Sequence, residues 1–167
     1  MAVTPEEFKG ALRRWASGVT VVTVRGADAD VGMTASSFSS LSLSPPQVLV
    51  CVGKSAAFHA SIEQVGAFGV SVLAEDQHQL SNRFAGRHPK DQDRFADLGV
   101  LRAPDSGAAW LPGALAWLDC RVNHAYEGGD HTIFIGEVLH VRLGDAHEAH
   151  QALLYVAGQY RKVGDAI

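Results

Sequence analysis

Two stretches near the C-terminal end restrict the fold more than any other part of the chain. In the first, Ala116, Leu118, Cys120 and Val122 alternate with Asp119, Arg121 and Asn123. In the second, Leu139, Val141 and Leu143 alternate with His140 and Arg142. A period of two sends the apolar set to one side of an extended chain and the polar set to the other. That is the pattern of antiparallel strands with one face in water.

The rest of the chain reads as short elements around such strands. Thr4-Pro5-Glu6-Glu7 has the form of a capping box with Pro at the first helical position. Phe8, Leu12 and Trp15 follow at helical spacing, and Gly18 is a natural stop. Val19–Val24 (VTVVTV) is a β-branched strand, and Gly26–Asp30 a turn. Met33–Phe38 reads as extended until Ser44-Pro45-Pro46 breaks it. Val48–Val52 (VLVCV) is a continuous apolar strand, expected to be buried on both faces.

A helix is predicted from Ser55 to about Gln64, then the strand Phe68–Leu73. Asp76 is placed to cap a second helix carrying Leu80 and Phe84, with Gly86 at its end. Arg87–Pro112 mixes charges, Gly and Pro and reads as a long surface excursion. A short helix and the strand LLYVAGQYRKV close the chain. About six or seven strands with few helices between them predict a mainly β barrel, not a doubly wound sheet. With no repeat and no linker, the expectation is one domain over residues 1–167.

Composition excludes several classes. A net charge of −4 offers no basic surface for nucleic acid or anionic lipid. No apolar run reaches the ~18 residues of a membrane span. The start, MAVTPEEFKG, lacks the charged and apolar regions of a signal peptide, so a cytoplasmic protein is expected. Cys51 and Cys120 sit in apolar strands and are expected as small buried hydrophobes, not a disulfide.

Other motifs fail on inspection. Gly53-Lys54-Ser55 follows a strand, but Val48 stands where a phosphate-wrapping loop needs glycine. No G-x-G-x-x-G opens a helix and no G-x-S-x-G marks a hydrolase elbow. His147 and His150, three apart with Glu148 between them, lack a third ligand, so no metal site is expected.

The informative segment is Gly32–Ser55, GMTASSFSSLSLSPPQVLVCVGKS. Its hydroxyls (Thr34, Ser36, Ser37, Ser39, Ser40) can donate to phosphate or carbonyl oxygens, and its small side chains let a flat ligand approach the backbone. This segment resembles the flavin-binding signature of the short-chain NAD(P)H:flavin oxidoreductases, which use a split FMN-binding β-barrel. Phe8–Val24, Gly129–Val138 (GDHTIFIGEV) and the closing LLYVAGQYRKV resemble that family too, so the likeness spans nearly the whole chain.

The resemblance implies the site residues. Met33, Thr34, Ala35, Ser36, Ser37 and Ser39 match the first flavin-binding segment, whose backbone N–H groups would meet the flavin's N1–C2=O side. Cys51, Val52, Gly53, Lys54 and Ser55 match the second, with Lys54 and Ser55 suited to phosphate. Ser81, Arg83 and Phe84 match the phosphate or adenine end, though Phe84 reads equally as a core residue. Arginines between Arg83 and Arg102 are candidate phosphate readers.

Gly129, Asp130 and His131 resemble the family's nicotinamide-associated motif. His131 is the candidate catalytic residue, holding the nicotinamide over the flavin, and Tyr160 matches an aromatic bordering the same pocket. The implied cofactors are FAD or FMN and NADH, with NADPH possible. The implied activity is reduction of flavin for a separate flavin-dependent monooxygenase, by a homodimer. A pyridoxamine-phosphate-oxidase-like barrel and a non-catalytic flavin-binding module are the alternatives.

Overall fold

The computed structural model describes residues 2–87, 92–144 and 151–164. Helix α1, Pro5–Leu12, opens the chain with the expected capping box. Glu7 N–H donates to the Thr4 hydroxyl, while Thr4 N–H donates to the Glu7 carboxylate at 2.8 Å. The Thr4 N–H, and after it the Thr4 hydroxyl at 2.7 Å, donate to the Glu7 carboxylate and hold it below its ordinary value. The helix ends before Trp15, and none of its residues is buried, so its apolar stripe faces outward.

Strands β1 (Ser17–Gly18), β2 (Thr20–Arg25), β3 (Asp30–Ala35), β4 (Phe38–Leu43) and β5 (Pro46–Gly53) follow. Next come α2 (Ala57–Val65), β6 (Ala67–Val72), α3 (His78–Asn82) and an irregular turn, Arg83–Arg87. The short pair β7 (Leu101–Arg102) and β8 (Ala109–Trp110) precedes the two long strands β9 (Ala116–Gly128) and β10 (His131–Leu143). Strands β11 (Leu154–Val156) and β12 (Gln159–Arg161) end the described chain.

Seven strands form one antiparallel sheet in the order β3-β2-β6-β9-β10-β5-β4. Its two edge strands are consecutive in sequence, joined only through Ser36 and Ser37. Seven strands laid flat at about 4.8 Å would hold those edges about 29 Å apart. Three residue steps reach only about 11 Å. The sheet therefore curls until its edges meet. No ladder joins β3 to β4 among the described residues, so the barrel is split along that seam.

Val22, Val24, Val50, Val52, Phe68, Cys120 and Phe134 fill the barrel, with Phe58 and Ile62 of α2 packed among them. A second, separate cluster forms around Val19, Val21 of β2, Leu73, Phe84, Leu111 and Leu153.

The structure corrects several expectations. Strand β5 is buried on one face only, with Leu49 and Cys51 half-buried on the other. The helix after β6 is short: its N-cap is Gln77, with no side-chain cap, and Phe84 falls in the irregular turn beyond it. The described part of the Arg87–Pro112 stretch is a surface excursion only in part. Ala103, Ala108, Ala109, Trp110 and Leu111 in it are buried.

The 103–111 part of that stretch covers the wet face of β9 at Asp119 alone, which is fully buried and accepts from the Asp105 and Ser106 N–H groups, while Arg121 and Asn123 are exposed as expected. Conversely, Val141 and Leu143 on β10 are exposed. The closing strand is a hairpin turning at Ala157 and Gly158. The last helix and the His147–His150 pair lie outside the described residues. Both cysteines are free.

Candidate functional site

The seam between β3 and β4 is where a ligand can enter. Strand β3 pairs with β2 alone, so the other edge of its backbone takes no part in the sheet. Three cavities follow this edge. One of about 190 Å³ is lined by Val19, Thr34, Ser36, Ser81, Ala85, Arg87, Tyr155 and Tyr160. It shares Thr34 and Ala85 with one of about 350 Å³ bordered by Met33, Ala56, Phe84 and Arg94. It shares Ser36 and Tyr155 with one of about 630 Å³ that runs past Ser37 to Leu12, Arg13 and Trp15.

Side-chain hydrogen bonds shape this groove. The Thr34 hydroxyl donates to the Ser81 carbonyl at 2.6 Å, tying β3 to α3. The Ser81 hydroxyl, fully buried, lies 2.9 Å from the Tyr160 hydroxyl. Phe84 is 2% exposed and packs edge-on against Phe95 with ring centroids 5.0 Å apart. The two rings leave no room for a side chain at Gly32, where a Cβ would stand 2.9 Å from Phe84. Phe84 is thus both a core residue and a groove wall.

A second cluster forms where β9 turns into β10. Gly129 takes φ +73°, while Asp130 has an ordinary negative φ, as a two-residue type II′ hairpin turn asks. His131 Nδ1 lies 2.8 Å from the Asp130 carboxylate. That hydrogen bond, followed by the charge interaction with His131, holds the Asp130 carboxyl below its ordinary value. The imidazole lies over Gly53, its register partner on β5.

The two clusters are linked through β5. The Ser37 hydroxyl donates to the Cys51 carbonyl at 2.8 Å. Cys51 and Gly53 point to the same half-buried face, about 7 Å apart by strand rise. His131 itself does not line the three groove cavities.

The structure brings Met33, Thr34, Ser36, Ser37, Ser81, Phe84 and Tyr160 to the groove. Gly53, Lys54, Gly129, Asp130 and His131 gather at the hairpin corner, where Lys54 N–H donates to the Asp130 carbonyl. The Lys54 ammonium is paired with Glu127. Ala35 and Val52 point into the core. Ser39 is exposed, with its hydroxyl on the Ser40 carbonyl, and Ser55 is exposed one residue before the Ala56 cap of α2.

Arg83 lines none of the three cavities; its Nη2 donates to the Asp93 and Ala96 carbonyls, and its buried Nε has no partner among the described residues. Sequence reasoning missed Val19, Asn82 and Tyr155, because segments far apart in the chain (the β1–β2 junction, α3 and β11) bring them to the seam. No cluster of metal-ligating side chains occurs among the described residues. Nor is any described helix long and apolar enough to cross a membrane.

A split barrel with free strand edges at its seam and a hydroxyl-lined, aromatic-walled groove along them defines a binder of flat nucleotide-like ligands. The model of the flavin reductase like domain matches residues 12–164, and the chain belongs to that family. It is 44% identical to the NADH-dependent FAD reductase of Streptomyces globisporus over 87% of this chain and 79% of that protein. It is also 44% identical to the reductase component of 4-hydroxyphenylacetate 3-monooxygenase of Thermus thermophilus, over 95% of this chain and 96% of that one.

Among solved structures, BorF, the flavin reductase component of a bacterial two-component tryptophan halogenase, superposes with a TM-score of 0.88. The identity is 44%, over 98% of this chain and all of that one. The Streptomyces globisporus C-1027 NADH:FAD oxidoreductase SgcE6, in complex with NAD and FAD fragments, superposes at 0.87 with 38% identity. That match covers 98% of this chain and 97% of that chain.

Proposed function

We propose that this chain, taken as one domain, is an NADH-dependent flavin reductase that reduces FAD or FMN and supplies reduced flavin to a separate flavin-dependent monooxygenase. The observation that carries the reading is the groove along the unpaired edge of β3, in a chain whose relatives are flavin reductases. The donor set fits a flavin nucleotide. Free strand amides suit the carbonyls of a flat ring, Met33, Phe84 and Tyr155 suit its apolar faces, and Ser36 and Arg87 suit phosphate.

When bound together, nicotinamide supplies a hydride and flavin accepts it; the protein's part is orientation and electrostatics. Backbone N–H groups on the unpaired edge of β3 and in the Ser36–Ser37 connection would present fixed dipoles to the flavin ring edge where negative charge grows on reduction. Cys51 and Gly53 share the half-buried face of β5, which joins the groove at Ser37 to the hairpin corner at His131. His131 orients the nicotinamide from that corner. The Asp130 carboxylate accepts from Nδ1–H, which leaves Nε2 on the Gly53 side free to meet the ligand.

A homodimer belongs to this reading. Leu43, Val141, Leu143 and the α1 residues Phe8 and Leu12 are exposed in the single chain and are apolar surface that a second copy would cover. NADPH is an alternative donor, and the cytoplasm, where reduced nicotinamide is made, is the proposed location. The family match decides against a pyridoxamine-phosphate-oxidase-like barrel.

The direct test is anaerobic mixing of the protein with NADH and excess FAD. Bleaching of the flavin band at a protein-dependent rate is the expected result. Flavin binding without bleaching would leave a non-catalytic flavin-binding module.

A further inference from the structure

Helix α2 is seated in the barrel by the apolar contacts of Phe58 and Ile62. One polar contact is added to them. His59 Nε2 lies 2.7 Å from the Thr132 hydroxyl of β10, the one side-chain hydrogen bond between α2 and a strand among the described residues. The His59 side chain is 12% exposed, and its ring stands edge-on to Phe134 with centroids 5.5 Å apart. The Glu63 carboxylate, one turn further along α2, lies 3.4 Å from Nδ1. A carboxylate only accepts, so it favours the proton on Nδ1 and leaves Nε2 to accept from the Thr132 hydroxyl.

Both ends of this contact lie beside the site. Thr132 is buried and follows His131 directly on β10. Strand alternation turns Thr132 and Phe134 to the core, and His131 to the opposite face over Gly53. At the other end Ala56, Ala57 and Phe58 line the 350 Å³ cavity together with Met33 and Thr34. His59 thus stands between the helix that borders the groove and the strand start that carries His131.

We propose that His59 is a positioning residue for the nicotinamide: through Thr132 it sets the start of β10 against α2, and with it the place of His131 relative to the groove. Thr132 relays the contact and His131 meets the ligand. A group that holds one ring over another is sensitive to small displacements, so the bond that sets its distance is felt in binding. The proposal rests on the flavin-reductase reading above and on His131 at the nicotinamide corner.

The test is a double-mutant cycle read in the KM for NADH, with flavin affinity followed in parallel by fluorescence quenching. Thr132→Val removes the hydroxyl at nearly equal volume. It is expected to raise the KM for NADH about fivefold, the scale of one hydrogen bond, and to leave FAD and FMN binding unchanged. His59→Phe keeps a ring against Phe134 and is expected to do the same, so the test survives if one variant fails to fold. Thr132→Ser keeps the hydroxyl and is expected to recover most of the loss. Added to His131→Ala, Thr132→Val is expected to cost little more, because it acts through that ring.

A KM for NADH that moves in neither variant, an equal weakening of flavin, no recovery in Thr132→Ser, or the full loss again on top of His131→Ala would each overturn the proposal. Wild-type protein that consumes no NADH in the presence of flavin would overturn the reductase reading itself.

Discussion

Asp130 Oδ1 and His131 Nδ1 lie 2.8 Å apart at the turn that starts β10, and this contact fixes which ring nitrogen faces the ligand side. His131→Ala should raise the KM for NADH about tenfold with flavin affinity unchanged, read by steady-state kinetics and flavin titration. Asp130→Asn should do the same more weakly, since an amide oxygen still accepts.

The pH dependence of that anchor follows from the lowered Asp130 pKa. The carboxylate interaction is fully present above the ordinary value of 3.8 and is lost as pH falls below it through the depressed folded value. Asp130 should therefore add no inflection to KM for NADH between about pH 5 and 8. An inflection there that disappears in Asp130→Asn would contradict the assignment.

Gly136 sits where β10 crosses the core. A Cβ there would lie 2.5 Å from Phe68 Cζ and 3.0 Å from the Cys120 Cβ. Phe68 is fully buried and cannot retreat cheaply. Gly136→Ala should cost about 2 kcal/mol, a Tm lower by roughly 4 to 8 °C in a domain of this size. Differential scanning calorimetry would measure it.

Burial, helped by neighbouring Asp119, pushes the Cys120 thiol up to about 12. In the unfolded chain it ionises near its ordinary 9.0, while the folded chain keeps the proton. The unfolded state thus binds fewer protons between these values, and stability falls as pH rises above 9. Denaturant melts at pH 8 and 10 should show that fall, and Cys120→Ala should reduce it. Cys120 should also resist alkylation at pH 8 until the protein is unfolded.

Leu43 on β4 is 96% exposed, and Val141 and Leu143 on β10 are 61% and 64% exposed. Light scattering should give twice the chain mass at micromolar concentration. Leu43→Asp or Leu143→Asp should shift it toward monomer. A wild-type monomer would remove the dimer from the account.

What the sequence made legible was local. The capping box was readable because Thr4 and Glu7 bond across three residues. The crowding of Thr34, Ser36 and Ser37 was readable because one strand and its turn hold all three. Features that depend on distant segments were not. Asp119 fits a wet strand face until the 103–111 segment folds over it. Asn82 looks like any helix polar residue until Tyr160, 78 positions later in the chain, donates to it. Val141 and Leu143 keep the alternation of a buried face yet lie exposed, because periodicity records which residues share a face and not what covers it.

The most direct test of the central claim is NADH consumption, followed by nicotinamide absorbance in air with purified protein and FAD, FMN or no flavin. The account predicts rapid decay only when flavin is added, with turnover that exceeds the protein present many times over. No decay with either flavin would contradict it.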